Sequence, residues 1–272
     1  MAERTTTFPL SGPINLLVKI GTGSATVTAR DDLTEATVVL TPRVPDSDIV
    51  DRYTVEMQGP TLTITGPKKS SGLADVFGGW RRDRDAVDVE VTVPTRTACK
   101  LNTGSAPITV KGTCGGADVT TGTGDITLDT IDGDLRLRSG SADATIESVT
   151  GDANTRTGSG DVQFGETGGS VHSGFGSGNL QIGIARGSVR SRAGSGDLRI
   201  DAVFGDVDLG AGSGTITLGL PAGVSARLDV TSGSGRVHSD LPIEDQPVAN
   251  RGSITVRTRT GSGDVRLFRA AA

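Results

Sequence analysis

The sequence predicts an all-β protein: a parallel β-solenoid (β-helix) with 18-residue coils, two short strands per coil and an irregular β N-terminal capping region. Three observations predict it. Gly104, Gly122, Gly140, Gly158, Gly176, Gly194 and Gly212 open Gly-Ser/Thr-Gly-like turns spaced 18 residues apart without a slip. A second series, Gly115, Gly133, Gly151, Gly169, Gly187 and Gly205, keeps the same period. Between the glycines, apolar and polar residues alternate. A fixed period of this kind marks a solenoid, glycine suits turns that need positive φ, and alternation sends every second side chain to one face.

Composition agrees. The chain has 272 residues, of which 40 are glycine, 34% are apolar and only 3% are aromatic. That supplies Val, Ile and Leu for a thin, extended core and too little aromatic bulk for a broad one. The net charge of -5 argues against a dedicated nucleic-acid surface, which carries a basic excess. No charged-then-apolar leader follows Met1, and no apolar run approaches the ~20 residues of a membrane span, so the expectation is a cytoplasmic protein, with membrane association left open. Cys99 and Cys114, lacking CxxC spacing, read as small core residues rather than a disulfide.

Residues 1–98 read as irregular β structure that caps or begins the solenoid, either as divergent early coils or as a small β-sandwich. Ile14, Leu16, Val18 and Ile20 alternate up to a turn at Gly21-Thr22-Gly23-Ser24. Thr26, Val27, Val38, Val39 and Leu40 continue the β pattern. Tyr53, Val55 and Met57 lead through Gly59-Pro60 to Leu62 and Ile64, a hairpin pattern. Val87, Val89, Val91 and Val93 form the clearest strand. Residues 68–86 are an inserted loop of different character. In it Leu73, Val76, Phe77 and Trp80 have helical spacing and lead into Arg81 and Arg82, so this stretch is the candidate contact for a partner or membrane surface. The alternative is a flap that covers a sheet edge or one end of the core.

Residues 99–218 carry the regular repeat, and its inward columns can be read directly. One strand offers Ile108, Ile126, Ala144, Val162, Leu180, Leu198 and Ile216, with Val110, Leu128, Ile146, Phe164, Ile182, Ile200 and Leu218 beside them. The other offers Ala117, Leu135, Ala153, Val171, Val189 and Val207, with a weaker column of Val119, Leu137, Thr155, Ser173, Ser191 and Leu209. Large Phe164 shares a coil with small Ala153 and Thr155, as close packing requires. Residues 219–272 are divergent C-terminal coils, with Pro242 and Pro247 marking an excursion. The three segments are read as one continuous structural domain.

Three outward patterns bear on chemistry. Asp125, Asp143, Asp161 and Asp197 (with Asn179 in the same column) form a ladder. Stacked carboxylates attract a cation, so calcium is the one cofactor weighed; the alternative is that each Asp accepts a backbone N–H of its own turn. Thr109, Thr127, Thr145, Gln163, Gln181, Arg199 and Thr217 make a polar face suited to a repetitive polymer such as a glycan, or simply to water. Arg138, Arg156 and Arg192 share a column near Arg136 and Arg190, a basic stripe that Asp134, Asp152 and Asp206 are expected to neutralise. His172 and His238 sit in no metal or triad spacing. No nucleophile elbow or phosphate loop is present, so no residue is assigned a catalytic role.

The units Gly158–Phe164, Gly194–Ile200 and Gly261–Leu267, of the form Gly-Ser-Gly-Asp-Val/Leu-x-Phe/Ile/Leu, resemble the bacterial β-strand-repeat domain of unknown function labelled "putative adhesin". The likeness takes in the N-terminal strands, the valine run closing at Val93-Pro94 and the repeat array. It implies a β-solenoid and, for some relatives, a link to cell-envelope stress; it supplies no catalytic residues.

The leading expectation is a non-enzymatic scaffold or binding module, adhesin-like, whose partner is a protein, a glycan or a membrane surface and not a nucleic acid. A second is a homo-oligomer that polymerises end to end through unpaired terminal strands, motivated by the regular final strand Val265–Leu267. A third is a carbohydrate-active enzyme, for which the short turns build no pocket.

Overall fold

The computed structural model describes residues 3–44, 48–67, 86–241 and 253–270. The inserted segment with Leu73, Val76, Phe77, Trp80, Arg81 and Arg82, and the prolines Pro242 and Pro247, lie outside the described residues. The architecture is all-β, with parallel strands stacked coil upon coil in two sheets, a parallel β-solenoid. The chain divides into two compact units, Met1–Gly133 and Asp134–Ala272.

The first unit holds β1 (Arg4–Pro9), β2 (Asn15–Ile20), β3 (Gly23–Arg30), β4 (Glu35–Pro42), a 3₁₀ turn (Asp48–Arg52), β5 (Thr54–Gln58), β6 (Thr61–Thr65), β7 (Val87–Pro94), β8 (Ala98–Thr103), β9 (Ile108–Cys114), β10 (Ala117–Thr121) and β11 (Ile126–Ile131). Its sheets run β1-β4-β7-β3-β9-β11 and β5-β6-β2-β8-β10. The N-terminal region therefore does contain coils. The pairs β2–β3 and β6–β7 stack in parallel with each other and with β8–β9. The Tyr53–Ile64 region forms the antiparallel β5–β6 hairpin, and β1 and β4 add antiparallel strands beyond β7. Gly23 has φ +102°, and a Cβ there would overlap the carbonyl of Val87, so this turn admits only glycine. Asp88 ties the layers together, accepting from Ser24 Oγ at 2.6 Å and ion-pairing with Arg43 at 2.8 Å.

Chain order and spatial order differ here. The coil β2–β3 comes first in sequence yet lies between β6–β7 and β8–β9. Cys99 and Cys114 are buried, free thiols with their sulfurs 3.5 Å apart.

The second unit holds β12 (Leu135–Ser139), β13 (Ala144–Val149), β14 (Ala153–Thr157), β15 (Val162–Thr167), β16 (Val171–Phe175), β17 (Leu180–Ala185), β18 (Val189–Ala193), β19 (Leu198–Val203), β20 (Val207–Ala211), β21 (Ile216–Leu220), β22 (Ser225–Ser232), β23 (Val237–Ser239), β24 (Ser253–Thr260) and β25 (Val265–Arg269). Its sheet A runs β13-β15-β17-β19-β21-β25-β23 and its sheet B runs β12-β14-β16-β18-β20-β24-β22.

The inward columns read from the sequence are buried in full, down to the weaker one, where Thr155 and Ser191 are 0% exposed. There the hydroxyls stack, Thr155 donating to Ser173 at 2.8 Å. A further inward column was not anticipated: Cys114, Ile131, Val149, Thr167, Ala185 and Val203 are all 0% exposed. From Ile131 onward it follows the second column by three residues rather than two, because the strand's alternation is interrupted before the corner; Cys114 follows Val110 by four, the register shifting by one further residue in β9.

The recurring turns have two physical causes. Several sheet-B strands end in a hydroxyl residue that accepts an N–H three residues on, as Thr157 does from Gly160 (3.1 Å) and Ser139 from Ala142 (2.8 Å), a local side-chain bond that favours a turn. The backbones of successive turns then stack so closely that a Cβ on Gly178 would overlap the carbonyl oxygen of Gly160.

The C-terminal coils correct one expectation. The final strand, β25, is not an unpaired terminus: it pairs in parallel with β21 on one side and β23 on the other. Likewise β24 lies between β20 and β22. The last coil in sequence thus fills a place between two earlier ones, and β22 and β23 take the edge.

Candidate functional site

The most chemically distinctive surface is the outer face of sheet B in the second unit. Strict alternation sends Leu135, Ala153, Val171, Val189, Val207 and Val256 inward, so their sequence neighbours must face out. Register aligns these neighbours in two columns. One runs Arg136, Asn154, His172, Arg190, Asp208, Arg257 and Asp229; the other runs Arg138, Arg156, Gly174, Arg192, Gly210, Arg259 and Thr231. Seven arginines (136, 138, 156, 190, 192, 257 and 259) and one histidine therefore share this face with two column carboxylates.

Those two carboxylates are heavily used. Asp208 accepts from Arg192 at 2.9 Å and ion-pairs with Arg190 at 3.4 Å. Arg192 reaches it by lying across Gly210, where a Cβ would come within 2.9 Å of the arginine Cδ; glycine at this outward position makes the seat. The hydrogen bond from Arg192 holds the Asp208 carboxyl below the usual carboxylate range, with the charges of Arg192, Arg190 and Arg257 adding to it against the opposing effect of burial. Asp229 accepts from Arg257 at 3.1 Å and lies 3.8 Å from Arg259. Arg136 and Arg156 have no carboxylate partner among the described residues. Beside the first column lies a shallow depression of about 320 Å³, lined by His172, Ser188, Arg190, Asp206, Asp208, Thr255 and Arg257 with Val189 and Val207.

The carboxylates expected to neutralise the stripe do other work. Asp134 accepts the N–H of Asp152 at 2.9 Å, Asp152 that of Ser170 at 2.7 Å, and Asp206 that of Thr255 at 2.7 Å. The ladder proposed for a cation behaves alike. Asp143 accepts the N–H of Asp161 (2.9 Å), Asp161 that of Asn179 (2.8 Å) and Asp197 that of Thr215 (2.7 Å). Asp143, Asp161 and Asp197 thus each serve the next coil, 18 residues away. Asp125 lies in the first unit, where its carbonyl accepts the N–H of Ile108 at 2.8 Å. Among the described residues no group of three or more His, Cys, Asp or Glu is placed to hold a metal ion.

Arg257 and Arg259 escaped the sequence reading because the 219–252 stretch breaks the period. A signal was nevertheless present: from residue 99 onward Arg-x-Arg occurs at 136/138, 190/192 and 257/259, each time on the same two columns.

Fold and surface together define a class: a β-solenoid repeat protein whose parallel sheets carry ladders of exposed side chains. Within that class the chain belongs to the Toastrack DUF4097 family, whose model matches residues 18–270. It is similar in fold to a solved Bacteroides fragilis protein named "putative adhesin", at 17% identity over 97% of this chain and 96% of that one, with a TM-score of 0.51. A second "putative adhesin", from Parabacteroides distasonis, matches at 15% identity over 97% and 96%, with a TM-score of 0.47. No curated protein matches the chain. Neither the family nor the Bacteroides fragilis protein carries the name of an enzyme. Among the described residues no helix is long and apolar enough to cross a membrane.

Proposed function

We propose that this chain is a non-enzymatic β-solenoid binding module whose sheet-B face takes an acidic glycan lying along the columns. The observation that carries the reading is the pair of arginine columns from β12 to β24. Their rungs repeat at the strand spacing of about 4.8 Å, close to the length of one sugar unit, so the guanidinium groups on the rungs of Arg136/Arg138, Arg156, Arg190/Arg192 and Arg257/Arg259 meet carboxylates or sulfates spaced at whole numbers of sugar units. Guanidinium forks bind such groups with directional, charge-assisted bonds. A flat sheet with a shallow groove fits an extended polymer better than a small molecule, which needs a concave pocket. The name borne by the Bacteroides fragilis neighbour is in keeping with attachment.

The non-enzymatic part rests on the same groove. Glycoside hydrolysis uses a carboxylate pair in which one member stays protonated near neutral pH. In the groove Asp208 is driven by arginines toward the ionised form, which suits it poorly to the protonated role.

Titration of the full chain with polygalacturonate and with neutral dextran tests the proposal. Saturable binding of the acidic polymer alone, weakened by added salt as exposed charge pairs are, is expected. Equal binding of both polymers, or of neither, contradicts it, and release of shorter sugars contradicts the non-enzymatic part.

A further inference from the structure

The geometry points to a second site, on β22, that takes a second copy of this chain in a closed, two-fold dimer. This strand is the edge of sheet B, and among the described residues nothing pairs with its outer side. It is eight residues long and free of proline, and an edge of that length is a ready template for strand addition. Its inward positions prolong the core columns of the coils below: Leu228 sits over Val256 and Val230 over Thr258. The column members beneath them, Val256 and Thr258, are 0% exposed, whereas Leu228 is 37% exposed. The core therefore runs out here with an apolar side chain still in water.

The charges on β22 single out the occupant. Two copies related by a two-fold axis normal to the sheet pair antiparallel with faces preserved, so inward residues must meet inward residues. Centred on Leu228, that pairing sets Leu228 against itself, Ala226 against Val230, and Arg227 of each copy against Asp229 of the other. Centring on Arg227 or on Asp229 instead sets like charges face to face, which destabilises a strand pair. Centring on Val230 puts Arg227 opposite glycine. Only the Leu228 register satisfies both charges of both copies. Arg227 has no ion pair among the described residues, while Asp229 retains its contact with Arg257 and has a second carboxylate oxygen for the partner. A two-fold contact uses the same patch on both copies and closes on itself. It makes a dimer, not the end-to-end polymer that the final strand suggested.

Sedimentation of the full chain over a concentration series tests this with charge reversals. Wild type is expected to dimerise reversibly. R227D and D229R each place like charges opposite one another twice and should weaken the dimer at least about tenfold. An equimolar mixture of the two variants should restore it, because every cross-strand pair in the mixed dimer is again opposite in sign. Restoration on mixing also shows that neither variant has lost its fold. A monomer at every concentration, as expected if another partner or another part of this chain covers β22, overturns the proposal. So does a dimer indifferent to both reversals, or a mixture that stays monomeric.

Discussion

The two outer faces of the second unit belong to the same coils and are made by the same alternation, yet they differ in chemistry. Sheet A presents Thr145, Gln163, Gln181, Arg199, Thr217 and Arg266 along one column. Its arginines have acidic neighbours on their own strand or turn, Arg199 with Asp201 at 2.7 Å and Arg266 with Asp264 at 3.8 Å. Sheet B presents the arginine columns, with only Asp208 and Asp229 among them. Behind both faces most inward residues are the same kind, Val, Leu, Ile and Ala in register, with Phe164 the large member behind sheet A and the hydroxyls of Thr155, Ser173, Ser191 and Thr258 the polar members behind sheet B. The difference teaches that in this architecture the inward columns set the fold and the outward columns are available to set the ligand, almost independently.

The strongest way to break that separation is through the core. Among the described residues Phe164 is the largest fully buried side chain and is 1% exposed, stacked between Ile146 and Ile182. Phe164→Ala should cost about 3–5 kcal/mol of stability, measured by urea unfolding. Glycan affinity per folded molecule should stay within about twofold of wild type, since additivity holds for groups that share no partner. A parallel collapse of affinity in the folded population would show that core and face are coupled.

A smaller effect sharpens the comparison from the other side. Asp208 is the carboxylate that most closely holds down the arginine field, so Asp208→Asn should raise affinity for the acidic glycan about threefold while costing less than about 1 kcal/mol of stability. The sign with pH follows from its lowered native value. Its contribution is present above the carboxyl's unfolded pKa and is lost as pH falls through the lower, native one. The stability difference between wild type and Asp208→Asn should therefore be constant near neutrality and vanish in acid. A difference that instead grew on acidification would mean that Arg190 and Arg192 do not hold this group.

The fold was legible because its determinants are local and periodic: glycines at fixed spacing and side chains alternating by two. The column of Cys114, Ile131, Val149, Thr167, Ala185 and Val203 was not, because alternation slips before it, by one residue from Ile131 onward and by two at Cys114. The exchange of order among the end coils was also hidden. Leu228 and Val230 alternate as any coil does, and alternation fixes that a coil stacks, not upon which neighbour. At the candidate site, the sequence placed Arg138, Arg156 and Arg192 in one column but misjudged what neutralises them. Asp134, Asp152 and Asp206 turn to backbone N–H groups one coil away, a partner that no sequence spacing within a turn reveals. Asp208 acts instead because Gly210 leaves room for Arg192 to fold over it.

The most direct measurement compares the faces themselves. Polygalacturonate is titrated into wild type, into R136Q/R156Q/R190Q on sheet B, and into T145A/Q163A/Q181A on sheet A. The account predicts a loss of about thirtyfold for the sheet-B variant, from three exposed charge contacts at roughly 0.7 kcal/mol each, and a change within about twofold for the sheet-A variant. Equal losses on the two faces, or a loss confined to sheet A, would contradict it.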